Sequence, residues 1–392
     1  MRATRGARPS WYVVMRIAFV TDTYENGIGG GVVTALRFVE ALRRWHDVTV
    51  IATGSPAPGK VVVPAIRLPI RAMRENRFTF GRPVRAILEK AFSRADIVHV
   101  QFPFPLGLRA IRLARGMGVP AVAAFHVQPE NLLFNLGLQS PRLSGWVYRR
   151  WVRGFFQLAD EVVCPSRFAA ERLQSFGLSV QMTVISNGAP GRMPRDAVRL
   201  PAGGIESHLV LSVGRLAREK RQDVIIDAVA RSRHRERIRL VIAGAGPLER
   251  ALRKRARRHG LAVEFGYVSQ ERLVQLYDSA HVFVHASEVE LEGMAVVEAI
   301  AAGLPVLVAD ASESAARQFA VGPQFLFRPG DPADLAARLD HLLESPDALA
   351  VAARRCVERA AQHDFERSVQ QLSDVYERVL AGAGRPRQQL AP

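Results

Sequence analysis

The stretch RIAFVTDTYENGIGGGVVTALRFVEALRR, residues 16–44, opens with an apolar run from Arg16 to Thr21, crosses a glycine-rich segment and ends in a helical pattern from Val32 to Arg44. A continuous apolar run bounded by turn residues marks a strand buried on both faces of a parallel sheet. Strand, loop and helix in that order form the repeating unit of doubly wound α/β folds. The unit recurs, since Asp47 to Ala52, Ile97 to Gln101, Val119 to Phe125 and Glu161 to Pro165 read as further strands, most of them separated by helical patterns. Ligands of such a sheet are expected at the C-terminal ends of its strands.

The pattern then resets. Gly188 to Gly204 is rich in Gly and Pro with little periodicity, and His208 to Val213 opens a second series that continues through Leu240 to Ala243, Val263 to Phe265, Val282 to His285 and Pro305 to Ala309. The expected architecture is α/β, with two Rossmann-like doubly wound domains facing a central cleft. The boundaries read as a tail 1–14, a first domain 15–190, a linker 191–206, a second domain 207–362, a helix 363–382 packing back on the first domain, and a tail 383–392.

Bulk properties agree with this division. A chain of 392 residues is too long for one ordinary core, and 48% hydrophobic with 23% charged residues is a globular composition. No apolar run approaches the roughly 20 residues that span a bilayer, and Met1 to Ser10 lacks the apolar stretch of a signal peptide, so a cytoplasmic protein is expected. Cys164 and Cys356 have no metal-ligand spacing and read as small buried hydrophobes. The net charge of +17 is uneven: residues 1–190 hold 25 Lys+Arg against 11 Asp+Glu, and residues 191–392 hold 29 against 26. A basic first half suits an anionic membrane surface; Arg scattered by composition alone is the alternative. With no zinc-finger spacing and no aromatic-basic RNA motif, no nucleic-acid partner is expected.

Three segments of the second series carry chemistry. In Ser287-Glu-Val-Glu290-Leu-Glu-Gly293-Met-Ala-Val-Val-Glu298-Ala, one carboxylate lies in a loop and the second in a helix. Gly293 to Val296 would form the first turn of that helix, whose N–H groups and positive dipole end suit a diphosphate or the sugar beside it. Glu298, about one turn in, is placed to accept hydrogen bonds from ribose hydroxyls. Taken alone, both glutamates read more readily as solvated charges near a helix start. Gly214-Arg215-Leu-Ala-Arg-Glu-Lys220 follows the opening strand and sets two cations, Arg215 and Lys220, near one anion. Gly244-Ala-Gly246-Pro is a glycine turn between strand and helix that resembles a mononucleotide loop.

Together these segments resemble the retaining glycosyltransferases of family 4, which have the two-domain fold called GT-B, and the resemblance covers nearly the whole chain. It implies that Glu298 binds the donor ribose and that Glu290 with the amides of Gly293, Met294 and Ala295 lies at the transferred sugar and diphosphate. It further implies that Arg215 and Lys220 neutralise the diphosphate, so that no metal or other cofactor is expected. Two departures stand out. The glycine that the family places after the lysine is Arg221 here, and its usual Phe-Gly after Glu290 is replaced by Leu291-Glu292-Gly293.

In the first domain, Gly29, Gly30 and Gly31 let a substrate approach the backbone closely, or make a tight turn and nothing more. Ala124-Phe-His126-Val-Gln-Pro-Glu130-Asn131 follows a strand end, and His126 resembles the family's histidine at the transferred sugar. Glu130 and Asn131 are taken with the glycines as the acceptor and sugar side. Arg149, Arg150 and Arg153 lie among Trp146, Tyr148, Trp151 and Phe155, a helix able to rest on lipid headgroups or to bury an aromatic stripe below a solvated Arg face. Val98 to Gly107 and Phe125 to Asn131 further resemble a bacterial subgroup with transferases that glycosylate diacylglycerol-type lipids. The expected activity is retaining transfer of a hexose from a nucleotide-diphosphate sugar, UDP-linked, to a membrane lipid. The protein would then be peripheral on the inner face of the plasma membrane. A soluble sugar or polysaccharide acceptor and a non-catalytic nucleotide-sugar binding protein are the alternatives.

Overall fold

The computed structural model of the protein describes residues 13–25, 29–66, 78–189 other than 136 and 139, and 207–383. The tail up to residue 12, the expected linker 191–206 and the stretch 384–392 lie outside the described residues. The chain divides into two compact units, one of residues up to Pro129, Ser140–Ile185 and Glu366 onward, the other of Glu130–Gln139 and Ser186–Phe365.

The first unit is built on a parallel sheet. Its strands are β1 (Arg16–Val20), β2 (Asp47–Ala52), β3 (Lys60–Val62), β6 (Ile97–Val100), β7 (Ala121–Ala124), β8 (Glu161–Cys164) and β9 (Met182–Val184), in the order β3-β2-β1-β6-β7-β8-β9. A small antiparallel pair, β4 (Ala65–Ile66) and β5 (Phe80–Gly81), stands apart from it. The central strands are apolar throughout because helices cover both faces: every residue of β6 and β7 is buried. The order runs outward in both directions from the β1 and β6 pair, which puts a topological switch point at their C-terminal ends. The last helix, Phe365–Gly382, belongs to this unit through residues such as Val375 and Tyr376, which are fully buried.

The second unit repeats the plan with β10 (His208–Val213), β11 (Ile238–Ala243), β12 (Val263–Gly266), β13 (Val282–His285), β14 (Val306–Ala309) and β15 (Leu326–Phe327), in the order β12-β11-β10-β13-β14-β15. All pairings in it are parallel, and its switch point lies between β10 and β13. Each unit has its own apolar core on the two faces of its sheet. The strands missed by pattern, β3, β4, β5, β9 and β15, are two or three residues long, too short for a periodicity to show.

Candidate active site

The switch point of the second unit gathers its glycine loops. Gly244 has φ +152°, and a Cβ there would sit 2.0 Å from the Gly214 carbonyl oxygen, so the two loops meet backbone to backbone. Gly246 is equally constrained, with Leu216 O 2.4 Å from where its Cβ would be. Hydrogen bonds from Gly214 N to Ala243 O and from Leu216 N to Ala245 O, both 3.0 Å, lock this contact. Gly214, Gly244 and Gly246 thus form one surface at the C-terminal edge of the sheet.

Beyond that surface lie the charged groups. Lys220 Nζ donates to Glu290 Oε1, and His285 Nε2 donates to the same oxygen at 2.9 Å. Burial would raise the Glu290 carboxyl, but the Lys220 charge and the His285 hydrogen bond outweigh it and hold the group well below the ordinary range. Glu290 is therefore a part-buried anion, partnered by a histidine 4% exposed. Arg215 Nη2 donates to Glu219 Oε1, and Gln222 Nε2 to Arg215 O at 2.9 Å. The Glu219 carbonyl in turn accepts from Glu288 N at 2.9 Å and Ser287 Oγ at 3.2 Å. The loop of Arg215 and Lys220 and the loop of Glu290 are thus fastened to each other by backbone as well as by charge.

The helix carrying Glu298 runs Met294–Ala301, with Gly293 capping it in the left-handed region at φ +96°. Its first turn is not as open as the sequence suggests, because Val296 N already donates to Gly293 O at 2.8 Å and Val297 N to the same oxygen at 3.1 Å. The helix starts one residue later than expected, and Gly293, Met294 and Ala295 remain as the groups at its mouth. Glu298 accepts from the Tyr277 hydroxyl at 3.1 Å, and that hydroxyl also reaches Ala295 O at 3.3 Å. Tyr277 is buried, and loss of hydration followed by the Glu298 charge raises its phenol well above the usual value, so it stays a neutral donor.

In the first unit the glycines stand differently from the sequence reading. The helix begins at Gly30 and runs to Leu42, so Gly30 and Gly31 are inside its first turn and Gly29, at φ +145°, caps it. A Cβ on Gly31 would meet the Phe102 ring at 2.9 Å and the His126 carbonyl at 3.3 Å, which places Gly31 and His126 side by side. A directed chain of hydrogen bonds ends on this turn. The Tyr376 hydroxyl contacts His99 Nδ1 at 2.9 Å, His99 Nε2 contacts Gln101 Oε1 at 3.2 Å, and Gln101 Nε2 donates to Gly31 O at 3.1 Å. The amide oxygen can only accept, so His99 carries its proton on Nε2 and accepts a hydrogen bond from the Tyr376 hydroxyl on Nδ1. Burial lowers His99 to about 4, so it is neutral throughout the physiological range. His126 keeps part of its surface exposed, yet desolvation, with His99 a smaller repulsion, holds its imidazole well below the usual range. Glu130 and Asn131 lie on the short helix Pro129–Asn135 and group with the second unit rather than the first.

The helix Pro141–Gly154 divides its aromatics. Tyr148 stacks on Phe176 at 4.4 Å and Trp151 meets Phe104 edge-on, both in the core. Trp146 is 57% exposed on the opposite face, where Arg149, Arg150 and Arg153 lie three, four and seven residues further on. None of the three arginines forms an ion pair among the described residues. A second cationic cluster was hidden by counting over halves of the chain. The helix Glu249–Arg258 (ERALRKRARR) spends Arg253 on Glu249 and Arg255 on Asp227, and turns Arg250, Lys254, Arg257 and Arg258 outward.

Sequence reading passed over His285, Tyr277, Glu219 and Ser287. His285 is the last residue of β13, a strand-end position that points to a site. Tyr277 sits in an ordinary helical pattern and gave no signal. Both cysteines are buried, and burial pushes their thiols up to about 12, which leaves them no nucleophilic part. Among the described residues no helix is long and apolar enough to cross a membrane.

Residues 28–190 match the model of Glycosyltransferase Family 4, and residues 204–363 match that of Glycosyl transferases group 1. The chain is 26% identical over 315 residues to the alpha-monoglucosyldiacylglycerol synthase of Streptococcus pneumoniae, covering 75% of this chain and 70% of that one. It is 28% identical to a GDP-mannose-dependent alpha-mannosyltransferase of Mycobacterium tuberculosis, covering 88% and 92%. It is 31% identical to the D-inositol 3-phosphate glycosyltransferase of Nocardiopsis dassonvillei, covering 79% and 76%. The solved structure of HepE from Anabaena shares the fold with a TM-score of 0.70 at 20% identity, over 93% of this chain and all of that one. Two parallel-sheet units, each with its glycine turn at the switch point, and these relatives place the chain among the family 4 glycosyltransferases of the GT-B fold.

Proposed function

We propose that this glycosyltransferase moves a hexose, with retention, from a uridine diphosphate sugar to the hydroxyl of a membrane lipid. The observation that carries the donor half is the part-buried Lys220–Glu290–His285 cluster, with Arg215 on the same loop as Lys220, within one unit and at the edge where its glycine loops meet. Lys220 and Arg215 supply the two positive charges that a leaving diphosphate needs, and the amides of Gly293, Met294 and Ala295 face the same anion. Glu298, aimed by Tyr277, receives the ribose hydroxyls. Glu290 compensates Lys220 until the donor arrives and then lies at the transferred sugar. Catalysis on this reading comes from stabilising the departing diphosphate and from holding the substrates in line, with His126 and the Gly29–Gly31 turn meeting the acceptor and sugar, and Glu130 and Asn131 assisting them.

The lipid acceptor rests on two supports: the relative named as a monoglucosyldiacylglycerol synthase, and the outward stripe of Trp146, Arg149, Arg150 and Arg153. An exposed tryptophan among unpaired arginines suits the headgroup layer of an anionic membrane. The uridine base follows family habit. The relative named as GDP-mannose-dependent makes guanosine the base to test against it, and the one named for D-inositol 3-phosphate does the same for a soluble acceptor. Thermal shift against UDP, GDP and ADP reads the donor directly, since ligand binding to the folded state raises its stability. Stabilisation by UDP above the other two is expected. A larger shift with GDP overturns the base, and no shift with any of them overturns the donor site.

A further inference from the structure

Arg221 follows Lys220 directly and lies at φ +48°, ψ +41°, in the left-handed region. Among the described residues no other residue with a side chain beyond Cα has a positive φ. A Cβ makes that conformation costly, and glycine would take it freely. The residue type is therefore not what the backbone asks for, and its side chain must account for its presence. The guanidinium does make specific contacts. Nη1 donates to Glu288 Oε1, and Nε and Nη2 reach the two Asp223 oxygens at 3.2 and 3.4 Å. It also lies against the turn at Gly330, where an added Cβ would come 3.5 Å from Nη1. Glu288 stands two residues before Glu290, and its own N–H is held by Glu219 O one residue before Lys220.

From this arrangement we infer that Arg221 is a positioning residue, a clamp that sets the register between Lys220 and Glu290. Its backbone conformation turns the chain from the 3-10 turn Arg218–Lys220 into the helix Gln222–Arg231. Its side chain, anchored on Asp223, grips the partner loop at Glu288. The loop carrying the cation is thereby tied to Glu288 of the loop carrying the anion from both sides of Lys220, by Glu219 O and by Arg221. Arginine suits this task because its planar fork can hold two carboxylates at once, whereas an ammonium is a single point charge. The inference deepens the proposed donor site and rests on that reading for its catalytic consequence.

Arg221→Gly is the discriminating variant, because it keeps the backbone turn and should fold at least as well as the parent. With UDP-glucose as probe, its turnover is expected to fall about tenfold while UDP affinity stays within about twofold, since Lys220 and Arg215 keep their charges and only the alignment of Lys220 with Glu290 is lost. Arg221→Lys should restore part of the rate, and Glu288→Gln should reproduce the loss with no further fall in the double variant. Unchanged turnover in Arg221→Gly, or losses that add in the double variant, overturns the inference. A second measurement needs no substrate. The coupling between Lys220 and Glu290, read from the urea stability of Lys220→Met, Glu290→Gln and their combination, should shrink at least threefold as an equilibrium factor in the Arg221→Gly background. Undiminished coupling overturns the clamp even if the parent turns over no donor, an outcome that would instead count against the proposed function.

Discussion

Lys220 Nζ and Glu290 Oε1 are joined in an ion pair whose side chains are 20% and 13% exposed, and His285 shares the same oxygen. A pair so shielded acts as a unit, because removing one partner leaves the other charged without compensation. Lys220→Ala is expected to lower turnover more than donor affinity, since the leaving-group charge grows in the transition state. Glu290→Gln should cost a comparable amount, about 1–3 kcal/mol, and the double variant much less than the sum. Steady-state rates with UDP-glucose for the four proteins check this. Additive losses would show that lysine and glutamate work independently.

The Tyr277–Glu298 bond gives a graded prediction. Glu298→Ala should weaken binding of the nucleoside diphosphate by about 1–3 kcal/mol, through loss of charge-assisted hydrogen bonds to the ribose. Tyr277→Phe leaves the carboxylate in place without the hydroxyl that aims it, and should weaken binding in the same direction by less. Calorimetric titration with UDP and with its 2′,3′-dideoxy analogue separates the effects. If the parent binds both equally, Glu298 does not hold the ribose.

Asp22, at the end of β1, predicts a pH dependence of stability. It is buried, and desolvation pushes its carboxyl up to about 7 against the opposing hydrogen bond from Gly81 N at 2.9 Å. Between the ordinary carboxylate range and pH 7 the folded chain therefore holds a proton that the unfolded chain has released. The contribution of Asp22 to stability is complete below about pH 4 and is lost as pH rises through 7. Asp22→Asn keeps the acceptor for Gly81 and removes the titration. Its advantage over the parent in urea unfolding should grow from pH 5 to pH 8 by about 1–4 kcal/mol. A constant gap would mean that the carboxyl is ionised in the fold throughout.

The residues that sequence made legible share a cause. Glycines at strand ends, two carboxylates with seven residues between them, and two cations after the opening strand are fixed by local chain geometry, and Gly214, Lys220, Glu290 and Gly293 all stand where strand-to-loop transitions put them. What stayed illegible depends on distant partners. Tyr376 is separated from His99 by 277 positions, yet a buried hydroxyl, an imidazole and an amide connect it to Gly31. Glu292, read only as a departure from the family, is 3% exposed and accepts from Asn187 N at 3.0 Å and from the Ser186 hydroxyl, which a charge count could not foresee. Helix polarity was likewise ambiguous for residues 141–154, where burial alone separates Tyr148 and Trp151 from Trp146.

Metal dependence follows from the cation pair. With Arg215 and Lys220 both beside the position proposed for the diphosphate, transfer should persist in EDTA at a rate within about twofold of the untreated enzyme. Loss of activity in EDTA that magnesium or manganese restores would overturn this assignment of charge.

The final prediction concerns where the protein meets a bilayer. Arg149, Arg150 and Arg153 lie unpaired on the face that exposes Trp146, and each cation near an anionic surface contributes about 1 kcal/mol. Replacing all three by Gln should then weaken binding to vesicles containing phosphatidylglycerol by about 3 kcal/mol, roughly a hundredfold. Salt should do the same to the parent as the Debye length shortens from about 10 Å at 0.1 M to about 3 Å at 1 M. Transfer to a water-soluble acceptor should hardly change, because the helix Pro141–Gly154 contributes none of the donor groups. Replacing Arg250, Lys254, Arg257 and Arg258 provides the comparison, since that stripe carries four cations against three but no exposed tryptophan. If vesicle binding follows this second stripe and ignores the first, charge rather than the tryptophan face directs docking. If the parent ignores anionic vesicles even at low salt, the arginine excess is compositional and the lipid acceptor loses its physical support.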